Sequence, residues 1–219
     1  GWGAAYGGLN GSLLKLKLAE GNRDTPFVSG KVDLAGAELL YDGPSGIDDN
    51  TSMLLSVRHH DFGRLLDLIG AKDVGRPVMT DVLLKTVTRI DEDTKLKVIG
   101  IFAPEKNTRD TSHVVEAEAP LDYMLFESKQ DAGALGVTLE QLVGDTGEWR
   151  NTVYYRFGKE NTYQGEAFPE LSDSPKDPDA IPVEERIISS REDEKEFGWR
   201  SDYSQDNRFG RFQAGLRLT

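Results

Sequence analysis

The chain contains no cysteine, which excludes disulfides and thiolate metal centres. It has no run approaching the roughly 18 apolar residues of a transmembrane helix. That absence leaves membrane strands open, because they alternate apolar and polar residues. Positive charge is scarce: 26 Lys and Arg stand against 38 Asp and Glu, a net charge of -12 that argues against a nucleic-acid partner. Apolar residues make up only 37%, beside 23 Gly, which disfavours a mainly helical protein and suits strands with many turns. There is no signal-peptide pattern, so an exported protein would be present here in mature or truncated form. No phosphate-binding glycine loop precedes a helix, and there is neither a nucleophile elbow nor zinc-ligand spacing. No catalytic residue, metal ligand or cofactor is therefore assigned, and an enzyme is not expected.

What is present is alternation. Residues 1–18 are glycine-dense and run into a short alternating strand, Leu14, Leu16 and Leu18 against Lys15 and Lys17. A polar linker follows to Asp24. Nine strands are expected, near 27–34, 37–42, 52–60, 80–90, 95–103, 149–157, 162–168, 195–204 and 208–219. In the third, Met53, Leu55 and Val57 oppose Ser56 and Arg58; in the fifth, Leu96, Val98 and Phe102 oppose Lys95 and Lys97. The segment 62–69 has helical spacing. Residues 120–130 read as weakly helical, and Thr138 to Gln141 resembles a helix capping box stopped by Gly144.

Two regularities stand above the single strands. Connections alternate: short turns near 43–51, 91–94, 158–161 and 205–207, long loops near 61–79, 104–148 and 169–194. Short turns at one end and long loops at the other are the layout of an outer-membrane barrel, and a soluble sandwich has no reason to keep it. Charge is partitioned too. Residues 104–148 hold ten acidic against three basic residues, and 169–194 hold nine against three. The remainder of the chain is close to neutral.

The segment Tyr6-Gly7-Gly8-Leu9-Asn10-Gly11-Ser12-Leu13-Leu14-Lys15-Leu16 resembles the glycine-rich stretch and strand that close the plug of TonB-dependent outer-membrane transporters. Phe27-Val28-Ser29-Gly30, Tyr41-Asp42-Gly43-Pro44, Leu54-Leu55-Ser56-Val57-Arg58 and Asp81 through Lys85 follow in the family's order and at similar intervals. The resemblance implies an all-β fold: part of an antiparallel up-and-down transmembrane β-barrel, about nine strands of it, preceded by the last strand of a plug domain. The plug end and linker would occupy 1–24 and the barrel 25–219. The energy-coupling box and most of the plug would lie before Gly1, and further strands would complete a barrel of about 22. The implied function is active uptake of a scarce large solute, such as a metal chelate, a cobalamin, a glycan or a peptide. Its implied partners are the TonB energy-transducing complex, through a segment outside this chain, and outer-membrane lipid and lipopolysaccharide. A surface lipoprotein or accessory subunit is a further candidate.

On this reading Arg58, Lys85, Arg89, Lys97, Arg150 and Arg156 face the lumen, and the substrate contacts stay unassigned. Trp149, Tyr155, Phe157, Trp199 and Tyr203, with Phe197, would form aromatic girdles at the membrane interfaces, or equally a sandwich core. His59 and His60 are adjacent in a strand and so point apart, which disfavours a shared metal. Asp48-Asp49-Asn50 and Asp91-Glu92-Asp93 read as solvated turns rather than calcium loops. The acidic loops read as solvated surface, with a cationic ligand or ions bridging lipopolysaccharide as the alternatives. A passive porin-like barrel and a soluble β-sandwich binding module remain open.

Overall fold

The computed structural model describes residues 17–71, 75–115 and 123–219. The expected closing strand of a plug, within residues 1–18, falls almost wholly outside them. The described chain is all-β, a single antiparallel sheet of nine strands in sequential up-and-down order. The strands are β1 (Phe27–Val32), β2 (Gly36–Pro44), β3 (Thr51–Asp61), β4 (Arg76–Arg89), β5 (Thr94–Arg109), β6 (Met124–Val143), β7 (Gly147–Ala167), β8 (Val183–Asn207) and β9 (Gly210–Leu218). Two short helices, α1 (Gly63–Leu68) and α2 (Thr111–Val115), sit in the connections. The helical spacing at 62–69 is thus realised in α1.

Nine strands emerge, but not the nine that periodicity suggests. Residues 104–148 do not form one long insertion. β5 runs on to Arg109, and β6 fills Met124–Val143, so neither the weak helix nor the capping box at 138–141 forms. The cause is pairing on both sides: Leu135, Val137 and Leu139 alternate on one face, opposite Gly100, Val98 and Leu96 on β5 and Tyr155, Val153 and Asn151 on β7. Gly158-Lys159-Glu160-Asn161 is no turn. It lies inside β7, opposite Ala132, Asp131, Gln130 and Lys129, and merges two expected strands into one. Residues 183–194 are strand as well, leaving 168–182 as the connection. The alternation of short and long connections holds from β2 onward with new members: 45–50, 90–93, 144–146 and 208–209 at one end, 62–75, 110–123 and 168–182 at the other, where the three-residue turn 33–35 between β1 and β2 is the exception.

Cross-strand partners share a face, so the register sorts every strand residue. One face, here the apolar face, carries Leu39, Leu55, Leu84, Val98, Val137, Val153, Trp199 and Leu216. The other, the charged face, carries Arg58, Lys85, Lys97, Glu140, Arg150, Asp202 and Arg217. No second layer covers either face among the described residues. The buried apolar residues are Val87, Val114, Ala167 and Ile181, while Leu135, Phe197 and Phe212 are more than half exposed. The chain exposes 14866 Å², where a compact monomer of 24.3 kDa would expose about 10,000 Å². Three of the four buried apolar residues cluster at the long-connection end. There Val114 of α2, Ala167 and Ile181 pack with Val115, Tyr123 and Leu125.

Two glycines allow close aromatic cover. Phe157 lies over Gly133 on the apolar face, and Tyr154 lies over Gly198 on the charged face. A Cβ at Gly133 would stand 2.5 Å from the Phe157 ring, and one at Gly198 2.4 Å from that of Tyr154. Each pair is directly opposed in the register.

Candidate functional site

The densest chemistry lies on the charged face near the short-turn end, where the segment entering the sheet crosses it. Ser52 of β3, Lys85 of β4 and Lys95 and Lys97 of β5 come together because their strands pair in sequence. Lys85 is 5% exposed. Its ammonium donates to the carbonyls of Leu18 at 2.8 Å and Ala19 at 2.6 Å. The Ser52 hydroxyl donates to the Glu20 carbonyl at 2.6 Å. The Glu20 carboxylate bridges Lys97 at 2.8 Å and Lys95 at 3.2 Å. Further along, the Asn22 amide donates to Asp42 Oδ1 at 2.7 Å. These contacts hold main chain and one carboxylate rather than a bare surface.

The network continues across the sheet. Lys97 also reaches Glu140 of β6 at 2.9 Å, Glu140 accepts from Arg150 Nε of β7 at 3.3 Å, and Arg150 pairs with Glu148. Charges of both signs alternate through five residues, which offsets the cost of removing them partly from water. The hydrogen bond from Lys97, then that from Lys95, holds the Glu20 carboxyl down to about 2. A carboxylate so held stays ionised at any physiological pH.

A second cluster lies on the same face over β7 to β9. Glu196 accepts from Tyr154 at 2.6 Å and from Arg156 Nε at 2.8 Å, and Arg217 donates to the Tyr154 hydroxyl at 2.9 Å. At the long-connection end a cavity of about 680 Å³ opens, lined on the apolar-face side of the register by Thr108, Glu127, Lys129 and Tyr163, with Arg109, Gln164 and Arg186 beside them. The Arg109 guanidinium donates to the Met124 carbonyl. Arg186 has φ 60°, in a left-handed region that disfavours a long side chain. It sits where the pairing of β7 with β8 shifts register, and its guanidinium lies 4.7 Å from the centre of the Tyr163 ring.

The six basic residues singled out from sequence all fall on the charged face, but they do not form one group. Lys85, Lys97 and Arg150 converge as described. Arg58 pairs with Asp81 at 3.3 Å on β3 and β4, Arg156 belongs to the second cluster, and Arg89 lies exposed at the rim opposite Lys95. The aromatic residues fall on the apolar face and divide. Trp149 and Tyr203 pair near the short turns, with Phe212 at 6.5 Å from Tyr203. Tyr155, Phe157, Phe197 and Phe102 gather higher, and Trp199, opposite Val153, lies between the two groups. His59 and His60 point to opposite faces, His59 Nδ1 lying 2.8 Å from Thr80 Oγ1 and the His60 ring 5.7 Å from that of Phe62 in a tilted arrangement. In the two acidic turns, Asp48 and Asp91 accept from the backbone amides of Asn50 and Asp93.

Sequence reasoning missed Glu20, which reads as linker, and Glu140, which reads as part of a helix cap. The Leu135, Val137, Leu139 alternation is the signal that would have placed Glu140 on a strand. For Glu20 no local signal exists, because the partners of its carboxylate lie 75 and more positions away. No protein-family model matches the chain, and no curated protein matches it.

Proposed function

We propose that this chain forms part of the wall of a membrane-spanning β-barrel, with the apolar face toward lipid and the charged face toward a polar lumen. One observation carries the reading. Between the short turns and the row of Phe102, Gly133 and Phe157, no residue of the apolar face is charged in any strand, although the chain as a whole is 29% charged. On β7 that band runs from Trp149 to Phe157, nine residues, which is the length of a membrane-crossing strand. A single-layer sheet with this face in water would leave its main hydrophobic surface without a partner.

Within that frame we infer an active uptake receptor of the TonB-dependent type in a Gram-negative outer membrane. What supports this over a passive porin is the segment 18–22 lying on the charged face, held by Lys85, Ser52, Lys95 and Lys97. A plug entering its barrel would make contacts of this kind. The solute would be captured at the long-connection end and pass when the plug rearranges under force from the energy-transducing complex.

The test is solubility and heat behaviour. The chain, with any flanking strands encoded beside it, should fold only in detergent or vesicles. It should then give the slow-unfolding, heat-modifiable band on gels that closed membrane barrels give. A monodisperse, β-rich protein in detergent-free buffer would overturn the membrane reading.

A further inference from the structure

We infer that the rim of the apolar face nearest the long connections is a docking surface for the phosphate groups of anionic membrane lipid. The inference rests on the barrel reading above and assigns to particular residues a contact with lipid headgroups. Every Lys and Arg that the register places on the apolar face lies at this end: Arg76, Lys106, Lys129, Lys159, Arg191 and Lys195. The opposite rim of the same face carries none among the paired residues. Lys106, Lys129, Asn161 and Arg191 are direct cross-strand partners and so form one row, with Lys159 and Lys195 in the rows beneath.

Lys106 and Lys129 stand directly side by side, with Arg191 one strand beyond Asn161, and like charges so placed repel unless something neutralises them. Lys129 has Glu127 at 2.8 Å, Lys195 has Asp193 at 3.8 Å, and Arg76 has Asp61 at 3.3 Å. Lys106, Lys159 and Arg191 form no ion pair with the described residues and are exposed. Asp131 and Asp193 lie one row down, Glu127 lies one row up, and the row ends beyond Val78 in Asp61, so the surface is not purely basic; Glu127 and Asp61 are taken by Lys129 and Arg76, which leaves Lys106, Lys159 and Arg191 unmatched among the described residues.

Position supplies the rest of the argument. Lys106 follows Phe102 by four residues, about 14 Å along the strand. A tilted strand therefore sets the row a little above the hydrocarbon edge, at the depth of lipid phosphates. The chain is strongly acidic, and the neighbouring row on the charged face is Glu105, Gln130, Glu160 and Glu192. The basic row is therefore confined to the side that would meet lipid. Cations near an anionic membrane surface gain from each phosphate they meet, and salt weakens the effect.

The test uses the reconstituted protein and brominated lipids, which quench tryptophans on the apolar face. Wild type should prefer phosphatidic acid over phosphatidylcholine by about tenfold or more at low salt, and the preference should fall at high salt. The triple variant Lys106→Gln, Lys159→Gln, Arg191→Gln should lose it while still folding in phosphatidylcholine vesicles. A variant with the same loss of charge on the other face, Lys31→Gln, Arg58→Gln, Arg211→Gln, should keep it. No preference in wild type, or an unchanged preference in the first variant, overturns the inference and leaves the barrel standing. An equal effect of inorganic phosphate on protein in phosphatidylcholine vesicles would assign the row to a soluble anion and overturn the lipid. Failure to enter phosphatidylcholine vesicles at all would overturn the barrel reading, and this inference with it.

Discussion

The two faces of this sheet are built from the same strands, one residue apart, yet they belong to different environments. Val98 and Lys97 are neighbours, as are Val137 and Thr138, and Val153 and Thr152. On one side the first of each pair joins a band without charge. On the other, Lys97, Glu140 and Arg150 form a network that holds the entering segment. Higher up, the faces differ in the sign of charge instead of in polarity: Glu105, Glu160 and Glu192 sit back to back with Lys106, Asn161 and Arg191. A one-residue slip in register would exchange all of these. The comparison teaches that the sheet is specified by what each face meets, because the described residues hold almost no interior core to specify it.

The largest expected effect comes from carrying charge across the comparison. Val137→Lys puts an ammonium in the charge-free band and should destabilise the vesicle-embedded protein by about 2–4 kcal/mol, read as a lowered urea midpoint. Ala134→Lys, on the other face of the same strand, should cost less than about 1 kcal/mol. Equal losses would mean that the faces do not see different solvents.

Next in size is the anchor. Lys85→Met removes both hydrogen bonds to the Leu18 and Ala19 carbonyls, each from a charged donor in a buried place. A loss on the order of 2–3 kcal/mol in the docking of the segment is expected. Protease cutting near residues 17–24 should accelerate while strand protection in hydrogen exchange stays as it was.

The pH dependence of that anchor follows from Glu20. Its folded value, about 2, lies below its ordinary 4.5, so the docked state binds fewer protons than the free segment. Its contribution is therefore complete above the ordinary value and is lost as pH falls from about 4.5 toward 2. Labels on the segment and on β5 should separate over that window. Glu20→Gln should weaken docking at neutral pH and abolish the titration; a window unchanged by the substitution would point to another group.

The smallest effect is expected at Arg58. Its pair with Asp81 is about half exposed, so Arg58→Ala should change stability by less than about 1 kcal/mol. A larger loss would show that this pair is as sheltered from water as Lys97 and Glu140.

How much of this is legible in the sequence depends on the residues at hand. Where Leu, Val and Met alternate with Lys, Arg and Asp, as in β3, β4 and β5, both strand and face can be read directly. β6 is obscured because Ala132, Gly133, Ala134 and Gly136 thin out the alternation, and its Thr138 and Glu140 mimic a helix start. Gly158 and Asn161 imitate a turn, yet partners on β6 and β8 keep the chain extended; tertiary pairing overrides local propensity. The six basic residues can be placed on one face by parity alone. Which of them meet Glu20 cannot, since that depends on a segment folding back over strands far along the chain.

The strands of the long-connection half have a mechanical consequence. β7 continues for ten residues beyond Phe157, to Ala167, roughly 34 Å of paired strand. The same ten residues as a flexible loop would span only about 17 Å on average and wander through many positions. Pairing with β6 and β8 turns the segment into a stiff mast. It carries the cavity around Tyr163 and Arg186 well clear of the hydrophobic band, at a fixed height and orientation. Whatever binds there meets a site already in place, and the ordering entropy of a long loop has been met in folding rather than at the moment of capture.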